Sequence, residues 1–177
     1  MTRVLLRAVA AAAAAFPLVL GSVVPAAAES TAVRDRGDEG GRMDIWTVKL
    51  SHGPRSVATK VRVRDFRRGQ QQEIFVLYDV RPGRRSLEYA ARIYLVESPR
   101  LQLYKVRADG TPDHTIRCRD RVTVNYRRDV LRYVVPRTCL RRPNQVRINM
   151  MSARKPDELI KDYAPAEGKY TQWVSRT

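Results

Sequence analysis

Cysteine and histidine are scarce: two of each among 177 residues. No Cys-x-x-Cys, His-Glu-x-x-His or Gly-x-Ser-x-Gly occurs. Zinc sites built on closely spaced cysteines, the zinc-protease helix and the serine nucleophile elbow are therefore absent. Beyond residue 28 no stretch approaches the ~20 consecutive apolar residues that a helical membrane span needs. No helix-period pattern of ten or more residues appears there either, which leaves strands as the building material. Acids are outnumbered: 18 Asp and Glu stand against 34 Lys and Arg, for a net charge of +16.

The first 28 residues read as a secretory signal peptide. Arg3 and Arg7 form a positive start, residues 8–20 an Ala-rich apolar run, and Ala26-Ala27-Ala28 a small-residue cleavage site before Glu29. The expected mature protein is secreted, has no membrane span and carries a charge of about +14, because the signal holds two arginines. One domain is expected in a chain of this length. Residues 29–42 are polar and Gly-rich and read as a linker or loop, and residues 43–177 as the folded domain.

Within that domain, apolar and polar residues alternate with period two. Trp46, Val48 and Leu50 mark a first strand, and Val57, Thr59, Val61 and Val63 a second, whose opposite face is basic. Residues 73–80 are apolar on both faces and predict the central strand. Further strands are expected at 89–96, 101–106, 114–118, 121–126, 130–135 and 145–151. Residues 108–112 carry a strong turn signal, and residues 155–161 fit one helical turn starting at Pro156-Asp157. A last extended segment is expected at 170–174. About eight or nine strands at this spacing predict an all-β, single antiparallel β-sandwich, with a closed barrel as the alternative.

Cys118 and Cys139 bracket the 121–126/130–135 hairpin, one before it and one after. In an exported protein they read as a structural disulfide across one end of the hairpin. A loop of this length is worth on the order of 3 kcal/mol.

Short segments resemble known proteins. Asp35-Arg36-Gly37-Asp38, then Met43-Asp44-Ile45-Trp46-Thr47-Val48 with Ser51-His52, the strand at 61–64, and residues 134–140 resemble short secreted actinobacterial β-sandwich proteins of unassigned activity. That group is similar in shape to DOMON domains and family-9 carbohydrate-binding modules. The resemblance implies a sandwich, with haem and sugar as ligand classes, and assigns no ligand residue here.

Candidate chemistry is thin. Asp35, Asp38 and Asp44, with Glu39 among them, put hard oxygen ligands on a Gly-rich segment and are candidates for calcium. A carboxylate pair for glycoside hydrolysis would come from Glu73, Asp79, Glu88 and Glu97. Trp46, Tyr94, Tyr104 and Trp173 are candidates for stacking on a sugar. His52 and His114 read as loop or surface histidines. Four Arg-Arg pairs (Arg67-Arg68, Arg84-Arg85, Arg127-Arg128, Arg141-Arg142) fall at expected turns, two at each end of the fold, and predict a diffuse positive surface. That surface favours nonspecific contact with anionic cell-envelope polymers over specific nucleic-acid binding. The expected function is an exported, non-catalytic binding or structural module at or outside the cell surface. No catalytic residue is assigned. A sugar-, haem- or calcium-binding module and a hydrolase of unknown class are the alternatives.

Overall fold

A computed structural model describes residues 29–35, 43–67, 72–83, 87–95, 98–154 and 161–177. The expected signal peptide, Asp38, Glu39, Glu97 and the helical turn at Pro156-Asp157 lie outside the described residues.

Twelve strands form: β1 (Glu29–Arg34), β2 (Ile45–His52), β3 (Ser56–Val63), β4 (Gln72–Asp79), β5 (Tyr89–Tyr94), β6 (Arg100–Val106), β7 (Pro112–Ile116), β8 (Arg121–Asn125), β9 (Val130–Pro136), β10 (Gln145–Arg154), β11 (Lys161–Ala164) and β12 (Val174–Ser175). A 3₁₀ turn, Arg137–Leu140, follows β9. One antiparallel sheet has the order β1-β2-β3-β9-β8. The other runs β11-β10-β4-β5-β6-β7, with β12 paired to β10. Two separate sheets make this the expected sandwich and not a closed barrel.

Alternation explains the layers. The inward set of the first sheet (Val48, Leu50, Val57, Val61, Leu131, Tyr133) packs in one core with that of the second (Ile74, Val76, Tyr78, Ile93, Leu103, Ile148, Met150). Each such side chain contributes about 1.5–3 kcal/mol by leaving water. The strand read as central, β4, does lie inside its sheet, between β10 and β5. Its outward residues Glu73, Phe75 and Leu77 are half-buried.

Three readings are corrected. Residues 29–34, which read in sequence as the start of a linker, form an edge strand paired with β2. They are mostly exposed and hold only Ala32 and Val33 as apolar residues, adjacent and not alternating, so no period-two pattern marks them. β11 was not foreseen, because four residues carry too little pattern. β7 begins and ends two residues before its expected place, so Cys118 lies past it, where the chain crosses from the second sheet to the first. Cys118 and Cys139 are disulfide-bonded, with Cα atoms 6.2 Å apart. The bridge ties that crossover to the 3₁₀ turn beyond β9.

Turns behave as their residues dictate. Gly110 takes φ 85° between β6 and β7, where Asp109 accepts the Thr111 amide at 2.9 Å. Between β8 and β9, the Arg128 amide donates to Asn125 Oδ1 at 3.1 Å. Asp129 Oδ1 in turn accepts the Phe66 amide at 3.1 Å, holding this turn against the end of β3. The first and last described strands also meet: the Ser175 amide donates to Glu29 Oε2 at 2.7 Å.

Candidate functional site

The outward face of the first sheet carries a row of exposed cations, and register puts it there. Lys49 on β2 stands opposite Lys60 on β3. Lys60 stands opposite Arg132 on β9, and Arg132 opposite Thr123 on β8. All three cations are exposed. The neighbouring rung runs Arg34, Thr47, Arg62, Val130, Asn125. No acidic residue occupies an outward position of these five strands. Arg127 and Arg128 extend the patch from the β8–β9 turn.

This face is dished. A depression of about 600 Å³ is lined by Arg34, Lys49, Lys60, Arg62 and Arg128, among others. A second of about 350 Å³ contains Lys49, Lys60 and Arg132. A third of about 460 Å³ contains Lys60, Thr123, Asn125 and Arg132. Lys60 lines all three, so they adjoin around its side chain and together form a shallow trough from β1 to β8. Counting turns gave a diffuse positive surface; strand register adds a focus that a turn count does not contain. Of the Arg pairs, Arg127-Arg128 borders the trough, while Arg68, Arg84 and Arg85 lie outside the described residues.

Cross-strand like charges cost stability, by roughly 0.2–1 kcal/mol for each directly opposed pair. The Lys49–Lys60–Arg132 rung contains two such pairs in succession. The sheet holds them against its own electrostatics.

The acidic candidates are distributed differently. Asp35 and Asp44 converge on a residue that sequence reading missed, Asp162 of β11. Asp162 is 3% exposed, and its Oδ2 accepts the Ile45 amide across the seam between the sheets. Burial, with the charges of Asp35 and Asp44 beside it, pushes its carboxyl up to about 6. Asp44 is 2% exposed. Its Oδ2 accepts Trp46 Nε1 at 3.1 Å, and its Oδ1 is buried without a hydrogen-bond partner among the described residues. Among the described residues no group of three or more His, Cys, Asp or Glu is arranged to hold a metal ion.

The three described glycosidase candidates are engaged. Glu73 receives a forked pair from Arg92 at 2.7–2.9 Å. Asp79 accepts Arg147 at 2.7 Å, and Glu88 accepts the Val80 amide at 3.0 Å. Burial raises the Glu88 carboxyl.

Three of the four aromatic candidates carry a guanidinium on the ring. Arg62 lies 5.1 Å from the Trp46 centroid, Arg92 4.7 Å from Tyr94 and Arg147 4.6 Å from Trp173. Such stacking suits the planar guanidinium and gives Arg62, Arg92 and Arg147 a structural use.

His52 is not a surface histidine. It is fully buried at the end of β2, with Nδ1 3.1 Å from the Val174 carbonyl. Burial lowers its pKa. His114 is exposed and pairs with Asp113 at 2.9 Å.

No protein-family model matches the chain, and no curated protein matches it.

Proposed function

We propose that the protein is an exported, non-catalytic binding module that holds anionic cell-envelope polymers on the outer face of its first sheet. The observation that carries this reading is the Lys49–Lys60–Arg132 rung: three cations in register, uncompensated by any acid on that face, retained at a cost to the sheet. The expectation of export rests on the N-terminal sequence, and the disulfide fits an oxidising compartment.

The test is the triple variant Lys49→Gln, Lys60→Gln, Arg132→Gln. All three side chains are exposed, so the fold is retained. Binding to purified cell-wall polymer should fall at least tenfold, while urea stability rises by about 0.5–1 kcal/mol as the two like-charge contacts disappear. Undiminished binding, or a loss of stability, refutes the reading.

A further inference from the structure

The shape of the trough restricts the ligand further, and this step rests on the reading just given. We infer that the site is built for a linear, ring-poor polyphosphodiester laid across the strands, and not for a single anion or for single-stranded nucleic acid. Three observations lead there.

The first is extent. The adjoining depressions reach from Arg34 on β1, through Lys49, Lys60 and Arg132, to Thr123 and Asn125 on β8. Five strands at a spacing of about 4.8 Å make a path of roughly 19 Å. One phosphate touches a small part of such a path; an extended chain touches all of it. The second is the pattern of charge. The cations stand on successive strands and not around one point, so they match charges that repeat along a chain. The third is what the floor lacks. Single-stranded nucleic acid is held by aromatic rings on which its bases stack. Apart from Trp46 at the β2 bulge, no aromatic residue occupies an outward position of the five strands. Trp46 has Arg62 over its ring. The floor is made of small and aliphatic residues such as Ala32, Ala58 and Val130, with Ser51 and Ser56, and its Lys, Arg, Thr and Asn side chains answer phosphate oxygens and backbone hydroxyls.

The experiment titrates the mature chain with glycerol phosphate, with poly(glycerol phosphate) of graded length, and with oligo(dT) of matched charge, at several salt concentrations. Affinity should climb steeply with chain length until the trough is filled, and should exceed that for oligo(dT). The salt slope should correspond to several released counterions, about 0.7 per phosphate contacted. Arg34→Ala and Arg132→Ala lie toward opposite ends of the path, and both residues are exposed. Each should weaken the long polymer about two- to fivefold, more than it weakens the monomer, and lower the salt slope by about one. If no anionic polymer binds at all, the proposed function itself fails. If polymer binds but affinity ignores length, or Arg34→Ala leaves the long chain untouched, the extended-chain inference is overturned alone. Tighter binding of oligo(dT) overturns the chemical class in favour of nucleic acid.

Discussion

Asp162 offers the sharpest test of the energetics, because its environment opposes its charge. It sits on β11, is 3% exposed, and faces Asp35 and Asp44 with a carboxyl raised from 3.8 to about 6. The Ile45 and Tyr163 amides favour the carboxylate, and burial outweighs them. A native state that holds its proton more tightly than the unfolded chain is most favoured where both are protonated. The stability from this group is therefore complete below pH 3.8, declines as pH rises to about 6, and is lost above that. The full interval corresponds to about 3 kcal/mol. Asp162→Asn keeps an acceptor for the Ile45 amide and removes the charge. The variant should equal wild type near pH 4 and exceed it at pH 7 by about 2–3 kcal/mol. At about 2–4 °C per kcal/mol, that is a rise in Tm of about 5–10 °C. Calorimetry or urea unfolding of both proteins at the two pH values measures the difference and cancels every other titrating group. An Asn variant less stable than wild type at pH 7 refutes the reasoning. It would show that ionised Asp162 is compensated, as by a cation held with Asp35 and Asp44.

Two further outcomes test the scaffold. Replacing Cys118 and Cys139 by serine releases the tie between the β7–β8 crossover and the 3₁₀ turn, and should lower urea stability by about 3 kcal/mol for a loop spanning 21 positions. Arg147→Leu removes the partner of Asp79, whose side chain is 5% exposed, and uncovers Trp173 and Tyr170; stability should fall by about 2–3 kcal/mol, with a change in Trp173 fluorescence emission.

Much of the fold was legible because strands write their burial with period two. β2, β3, β9 and β10 each show it, and the disulfide followed from two cysteines flanking a hairpin. The missed strands share a physical cause. β1 lies at an edge with most of its side chains in water, and β11 is four residues long, so neither imposes an apolar alternation. The candidate site was half legible. The basic face of β3 was visible in Lys60 and Arg62, but a strand pattern does not say which strand lies beside it. Only pairing with β2 and β9 aligned Lys49 and Arg132 with Lys60. Asp162 stayed hidden for the same reason: it meets Asp44 across 118 positions of chain, through sheet packing alone.

The meeting of Glu29 with Ser175 has a topological consequence. A fold whose first and last described strands touch is nearly a ring, and a ring has no privileged place to be cut. Joining residue 177 to residue 29 through a short linker and reopening the chain at the exposed turn of residues 107–111 would preserve every strand pairing of both sheets. The same closure lets the whole sandwich be inserted into a surface loop of another protein, entering and leaving at one point.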